Sequence, residues 1–278
     1  MFFMINSNGT LVSKLSQQTT AVESHFLHGL HIVESIHAEK GQLLFWELHY
    51  FRVMAAMRQL RFVLPINFTA LFFEEEIQKT LAANKLQSKD VLIYLHLLCN
   101  SQNQSPHFVI EVQESISFQQ LSHAAYSMDI YKEAFISAQY LSNISLLNAP
   151  IRAVASVYAN ENGWQDCFLM NEQKELVEST QGSIFILNDH LIQTPSLQTG
   201  CQNLVIREAF IQWIKQKQTA FEVEEKTLSP FVLQNAQEIL ILSSEKGGNS
   251  LDQYRKTQYK HHVFQKLYGE FIGDALKN

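Results

Sequence analysis

An acid stands in an apolar and small-residue setting near the start of the stretch Leu176–Arg207, which makes that acid a candidate for chemistry. Glu178 is separated by a short segment with one Gly from the β-rich run Ser183–Leu187. Its carboxylate could face a bound ligand, or it could be a surface acid at the end of a strand, next to Lys174 and Glu175. Residue type alone leaves both interpretations open.

The elements predicted after Glu178 have the order of an anion-binding cradle. Gly200 opens a loop that leads to Arg207 and an amphipathic helix, Glu208–Lys217. Backbone N–H groups at a helix N-terminus bind anions, so a strand, a tight turn and a loop that enters a helix can hold one. Before Gly200 the sequence predicts a strand at Ser183–Leu187, a turn at Asn188–Asp189 and a returning strand at His190–Gln193. This strand ends at Thr194–Pro195.

The residue order in this stretch resembles the signature region of the class IV aminotransferases, the fold-type IV enzymes that use pyridoxal 5'-phosphate (PLP). That family includes branched-chain and D-amino-acid aminotransferases and aminodeoxychorismate lyase, and the size and the Thr-Pro-x-Leu-x-x-Gly-Cys segment look most like the lyase. The positions that fit the family pattern are Glu178, Ile184, Phe185, Thr194, Pro195, Leu197, Gly200, Val205 and Arg207. Those that depart from it are Ser183, Gln202, Leu204 and Ile206, in place of Asn, Leu, Gly and Thr.

The resemblance extends over nearly the whole chain. His49 and Arg52 match the family's H-x-x-R motif, and Glu238–Ser244 resembles its segment of a Glu, apolar residues, a small residue and Thr. Further upstream the family has an aromatic residue, Gly-Asp and Phe-Glu. The residues in that place are Phe26, His28–Gly29 and Val33–Glu34, with Leu30 where the Asp would be.

PLP chemistry requires a lysine amine, a carboxylate for the pyridine nitrogen, a phosphate cup and a shaped pocket. The resemblance implies that Glu178 is the carboxylate and that Arg52 holds the phosphate, a task that suits a guanidinium. Leu204 adds a Cβ where the family's Gly would allow a positive φ. The other implied cofactor contacts are the backbone N–H groups of Val205 and Ile206 and the hydroxyl of Ser244.

The Schiff-base lysine of the family is absent from its expected position. In the segment that corresponds to the family's Lys-small-x-Asn, Ser145 occupies that place. A serine hydroxyl cannot form an imine, and no neighbouring His activates it as a nucleophile. The nearest lysines are Lys132 and Lys174, and using either would break the spacing of the flanking motifs.

Three functional hypotheses follow from this mixture of retained and changed positions. The first is that the chain is a degenerate family member that has lost imine chemistry, so that any PLP is not covalently bound. The second is that the chain is an active aminotransferase or 4-amino-4-deoxychorismate lyase that uses an unusual residue. The third is that it is a non-enzymatic protein that binds an anion or a partner in the old cofactor cleft. The resemblance also implies a homodimer. Substrate contacts are expected from two loops, Gln102–Pro106 and residues 245–250.

The composition limits the other functional classes. The net charge of −6 does not favour nucleic-acid binding, and no apolar run has the length of a membrane span. Met1–Asn6 is predicted to be a first strand and not a signal peptide, because basic residues and a cleavage site are lacking. Widely spaced Cys99, Cys167 and Cys201 indicate a reducing, cytoplasmic location and no zinc site, and His261–His262 does not have the geometry of a metal pair.

The predicted elements indicate an α+β protein of two domains. Residues 1–113 form a small α+β domain, 114–120 connect the domains, and 121–278 form a larger domain with a β-barrel-like core that carries Glu178. A cleft between the domains is expected to contain Arg52, Ser145 and Glu178. Predicted helices are His49–Leu60, Phe68–Asn84, Ala149–Asn160, Glu208–Lys217 and Leu251–Ala275, and Gln42–Trp46 is predicted to be a strand.

Overall fold

The computed structural model describes residues 4–13, 29–100, 106–119, 121 and 126–277 of the chain. These form two compact units. The first comprises Met1–Ser117 and Ser145–Asn148, and the second comprises Phe118–Ile144 and Ala149–Asn278. Several sequence predictions lie outside the described residues: the first part of the strand Met1–Asn6, the motif residues Phe26 and His28, and most of the loop Gln102–Pro106.

The first unit is built on a six-stranded antiparallel sheet with the order β2-β1-β6-β5-β3-β4. Asn8 and Gly9 join β1 to β2 with φ of 51° and 86°, as a two-residue hairpin turn with an Asn-Gly sequence requires. The strands are β1 (Met4–Ser7), β2 (Thr10–Ser13), β3 (Gly29–Glu39), β4 (Gln42–Leu43), β5 (Val91–Asn100) and β6 (His107–Glu114).

The described part of the first unit contains two helices, α1 (Trp46–Gln59) and α2 (Ala70–Ala83). Each buries an apolar stripe, which includes Val53 and Met57 in α1. The prediction of a strand over Gln42–Trp46 is wrong beyond Leu43. Phe45 adopts φ 55° and reverses the chain, and α1 begins at the next residue.

Ser145–Asn148, which the sequence alone placed in the C-terminal domain, belongs to the first unit because it pairs with β3. Val33 donates its N–H to the carbonyl of Ser145 at 3.0 Å, and Leu147 donates to His31 at 2.9 Å. An antiparallel bridge joins Ile32 to Leu146 between these bonds. The segment that contains Ser145 is therefore held along β3 by an isolated antiparallel bridge and two backbone hydrogen bonds.

The second unit contains two five-stranded sheets with the orders β12-β11-β10-β13-β14 and β16-β15-β7-β8-β9. The strands of the first sheet are β10 (Ser183–Asn188), β11 (Leu191–Pro195), β12 (Glu222–Lys226), β13 (Glu238–Ser243) and β14 (Gly247–Ser250). The strands of the second are β7 (Ser127–Ile130), β8 (Asp166–Met170), β9 (Leu176–Ser179), β15 (Gln253–Tyr254) and β16 (Thr257–Gln258).

The core of the second unit lies between these two sheets. Ile184 and Ile239 of the first sheet and Met128 and Phe168 of the second belong to one buried cluster. The opposite face of the β8-β9 sheet packs on α3 (Pro150–Glu161), in a second cluster that includes Ala155. The remaining helices are α4 (Val205–Lys217), α5 (Val232–Asn235) and α6 (His262–Ala275).

The C-terminal part of the second unit differs from the sequence prediction at two places. The prediction of a helix over Leu251–Ala275 is wrong in its first half, where β15 and β16 form a hairpin and only His262–Ala275 is helical. Leu251 and Tyr254 enter the core between the sheets, and this burial outweighs local helical periodicity. Residues 247–250, expected to be part of a loop, form the buried strand β14.

Among the described residues, no helix has both the length and the apolar character needed to cross a membrane.

Candidate functional site

Ser145 is hydrogen-bonded to the arginine that the sequence assigned to a phosphate. Arg52, in the second turn of α1, donates from Nη2 to the Ser145 hydroxyl at 2.6 Å. Its Nη1 donates to Glu34 of β3 in a short ion pair. Arg52 is therefore already engaged at both ends of its guanidinium by residues of the same unit.

Glu34 is the buried acid that organises this group. Its second oxygen accepts a hydrogen bond from His49 Nδ1 at 2.6 Å, so that nitrogen carries the proton. Burial by itself raises the pKa of Glu34, but the Arg52 guanidinium and the hydrogen bond from His49 outweigh it and hold the pKa below its usual value. The H-x-x-R spacing places His49 and Arg52 on one face of α1, both directed at Glu34.

In the second unit, an irregularity in β9 determines where Glu178 points. The pairing of β8 with β9 shifts between Leu169 and Met170, which leaves Val177 as an extra residue. Leu176 packs in the core between the sheets, whereas Val177 packs with Leu169 on the α3 side. Glu178 is paired with Leu169, so the bulge turns the carboxylate toward α3.

Glu178 is 3% exposed, and both of its oxygens have protein partners. Arg152, in the first turn of α3, donates from Nε to Oε1 at 2.5 Å. The backbone N–H of Gln202 donates to Oε2 at 2.7 Å. Arg152 also approaches the carbonyl of Ser142 at 3.5 Å. The predicted site acid is thus one member of a buried ion pair.

The expected anion cradle is the start of α4. The helix begins at Val205, not at Glu208, so Val205 and Ile206 lie in its first turn. Leu204 is the N-cap residue and offers no side-chain cap, which leaves first-turn N–H groups open to another acceptor. Its φ of −67° is ordinary, so the expected strain at this position is absent. The backbone at position 204 therefore does not require glycine.

Positive φ occurs instead at Gly200, where φ is 93°. Arg207 lies in the first turn of α4 and is buried, with its Nη2 donating to the Pro195 carbonyl and to Glu225 at 2.8 and 2.9 Å. These contacts join the ends of β11 and β12 to the helix. Arg207 thus holds the start of α4 in position and does not itself line the expected anion site.

Ser244 lies half-buried in the turn after β13. The hydroxyl that accepts hydrogen bonds from this turn belongs to Ser243, with the N–H groups of Glu245 and Lys246 each at 3.2 Å. The turn is therefore held by the residue before the one that the sequence assigned to the cofactor.

The two lysines considered as substitutes for the missing amine are exposed. Lys132 lies in an exposed segment after β7, and Lys174 lies in the turn between β8 and β9 with φ 60°. Among the described residues, no group of three or more His, Cys, Asp or Glu side chains is arranged to hold a metal ion.

The structure thus divides the predicted site residues between two groups. The first unit contains Arg52 and Ser145, and the second contains Glu178, Val205, Ile206 and Ser244. Sequence reasoning missed Arg152 as the partner of Glu178 and missed the role of Glu34. The H-x-x-R spacing is a sequence signal that His49 and Arg52 share a partner, which the structure shows to be Glu34, whereas no sequence signal links Arg152 to β9.

Residues 31–249 match the protein family described as amino-transferase class IV. This chain belongs to that family. The match covers both units and includes every predicted site residue.

Individual relatives of this class IV chain agree with the assignment. A Methanocaldococcus jannaschii protein, provisionally named a branched-chain-amino-acid aminotransferase, is 21% identical over 248 residues, 84% of this chain and 82% of the relative. The solved branched-chain amino acid aminotransferase of Thermobaculum terrenum in its PLP form matches with a TM-score of 0.85 at 16% identity, over 99% of this chain and 94% of that one.

A solved Legionella pneumophila protein, provisionally named a 4-amino-4-deoxychorismate lyase, matches with a TM-score of 0.79 at 20% identity. The match covers 94% of this chain and 97% of that chain. At such identities the likeness establishes the fold. The predicted fold-type IV architecture of the class IV chain is therefore confirmed.

Proposed function

We propose that this class IV family member forms no Schiff base at Ser145 and binds a small anion at the N-terminus of α4. The observation that carries the proposal is the hydrogen bond between the Ser145 hydroxyl and Arg52 Nη2 at 2.6 Å. The lysine position holds a hydroxyl that cannot form an imine, and it is engaged by a guanidinium that is also paired with Glu34.

The residues present do not fit a covalently held PLP. Ser145 supplies no amine, and Glu178 already pairs with Arg152 at 2.5 Å. An anion of the phosphate class fits better, because the first turn of α4 offers backbone N–H groups and the positive end of the helix dipole. Ile206 adds no hydroxyl, so we expect weak binding. The chain is in this sense a degenerate family member.

The purified wild-type protein tests this proposal directly. We expect no absorbance band that borohydride reduces and no aminotransferase or lyase turnover. A reducible band on Lys132, Lys174 or another lysine would contradict the proposal. It would favour an active aminotransferase or 4-amino-4-deoxychorismate lyase that uses an unusual residue.

The Ser145→Lys variant tests what the missing amine contributes. We expect this variant, mixed with PLP, to acquire a borohydride-reducible band that wild type lacks, because a lysine beside Arg52 has its charged form disfavoured. Ser229→Lys, which adds a lysine at an exposed position, is the matched control. An equal band in both variants would mean that the position has no special reactivity.

A further inference from the structure

Arg152 is the charged partner of Glu178, the acid that the resemblance assigns to the pyridine nitrogen. Building on the proposed function, we propose that Arg152 is a built-in counter-ion for Glu178 that excludes a protonated pyridine ring from this site. Arg152 thereby determines which ligands the site accepts. The site binds an anion at the N-terminus of α4 but does not bind a cationic ring at Glu178.

The geometry of the pair is that of a fixed structural contact. One carboxylate oxygen accepts from Arg152 Nε at 2.5 Å, and the other accepts from the backbone of Gln202 at 2.7 Å. On its far side the guanidinium approaches the carbonyl of Ser142. Charged hydrogen bonds at such distances are among the stronger ones in proteins, so a ligand must break them to reach Glu178.

Charge balance makes the exclusion selective. Glu178 is almost fully buried and the side chain of Arg152 is 18% exposed, so the pair is neutral in a poorly solvated place. A second cation beside the pair would add an uncompensated positive charge and would face Arg152 as a like charge. A neutral or anionic group does not face that repulsion. The carboxylate is therefore unavailable to a pyridinium while Arg152 is present.

The local fold explains how Arg152 reaches this position. It follows Pro150 in the first turn of α3, and Ala155 and Ala159 of the same helix are buried against the β8-β9 sheet. Small side chains on this face let a helix approach a sheet closely, and the β9 bulge turns Glu178 toward α3. Both features bring guanidinium and carboxylate together.

Calorimetric titration with pyridoxine 5'-phosphate, which has the ring and the phosphate but no aldehyde, tests the inference. We expect Arg152→Gln to bind this compound at least tenfold more tightly than wild type, because Glu178 becomes free to pair with the ring. Arg152→Gln/Glu178→Gln should lose that gain, and Arg152→Lys, which keeps the charge, should bind as weakly as wild type. Arg255→Gln removes a more exposed arginine of the same unit and is the control.

Inorganic phosphate, titrated into the same proteins, measures the proposed anion site separately. Failure of phosphate to bind any protein would contradict the proposed function, whereas the ratio of the pyridoxine 5'-phosphate affinities tests only the role of Arg152. Equal or weaker pyridoxine 5'-phosphate binding by Arg152→Gln, or no binding by any variant, would overturn the inference.

A spectroscopic measurement on wild type covers the case in which Arg152→Gln does not fold. The ultraviolet absorption of pyridoxine 5'-phosphate changes when its ring nitrogen loses a proton. With Arg152 in place, we expect the ligand mixed with excess protein to titrate at the same pH as the free ligand. A ring pKa raised by one unit or more would show that Glu178 holds the protonated ring, and the inference would then be wrong.

Discussion

At the scale of single residues, each unit contains a buried acid that is paired with an arginine of the same unit. Glu34 pairs with Arg52, and Glu178 pairs with Arg152. Breaking a buried pair by removing one partner is costly because the other charge is left uncompensated. These arginines therefore contribute to folding, and a ligand that uses either of them must compete with an existing partner.

The Glu34→Gln variant tests this for the first unit. We expect the free energy of unfolding at neutral pH to fall by about 3 kcal/mol, since Arg52 would lose its buried counter-charge. Exposed Glu47 on the same helix provides the control Glu47→Gln. Urea denaturation measures both. Equal, small effects for the two variants would mean that the Glu34 pair contributes little.

The pKa of Glu34 fixes how this loss depends on pH. Because the folded-state pKa is lowered, the stabilisation by Glu34 is complete above its unfolded pKa of about 4.3 and is lost as pH falls through the lower folded value. The difference between wild type and Glu34→Gln should therefore be constant at neutral pH and shrink in acid. A difference that grows below pH 4 would contradict the assignment.

At the scale of elements, Gly200 fixes the loop that leads into α4. Its φ is 93°, and a Cβ built there would lie 2.4 Å from the carbonyl oxygen of Ser137. Both the backbone conformation and the close approach require glycine. The loop before α4 is thus positioned by a close contact with a segment far away in the sequence.

We expect Gly200→Ala to lower the free energy of unfolding by about 2 kcal/mol or more and to weaken phosphate binding. Gly163→Ala is the matched control, because φ there is 75° but nothing lies within 4 Å of the added Cβ. The difference between the two variants isolates the steric part. Thermal unfolding with and without phosphate measures both effects, and identical losses would exclude a steric role for Ser137.

A histidine pair joins β3 to β5 in the first unit. His31 Nε2 and His96 Nδ1 are 2.9 Å apart, which requires one nitrogen to donate and the other to accept. Burial lowers the pKa of His96 to about 4, and burial together with His96 lowers the pKa of His31 to about 4. Both rings are therefore neutral in the folded protein at neutral pH.

This pair should make the protein less stable in mild acid. As pH falls from 6.5 toward 4, the two histidines become protonated in the unfolded chain but stay neutral in the folded protein. The free energy of unfolding therefore decreases. We expect His96→Gln to reduce the slope of the free energy of unfolding against pH in this range by about one proton, or about 1.4 kcal/mol per pH unit. An unchanged slope in His96→Gln would contradict the titration of the pair.

At the scale of the whole molecule, the family assignment leads to an expectation about assembly. The sequence resembles a family of homodimers, and 11% of its residues are aromatic, a composition that suits a large apolar interface. We expect light scattering at micromolar concentration to give twice the chain mass of 32.0 kDa. A mass of one chain would exclude a stable homodimer.

The sequence by itself determined the features that depend on residue identity and local order. Asn8–Gly9 specifies a tight hairpin turn, and the order of the motifs indicates the class IV fold. The absence of an amine at Ser145 is also a property of the sequence. Such features are readable because backbone conformation at Asn-Gly and the chemistry of a hydroxyl vary little with context.

The tertiary structure decided the features that depend on which distant segments meet. Pairing with β3 places Ser145 beside Arg52, and a bulge in β9 turns Glu178 toward Arg152 on α3. Burial of Leu251 and Tyr254 in the core selects a hairpin over the predicted helix. None of these contacts has a local signal, because each arises from burial and pairing between residues far apart in the sequence.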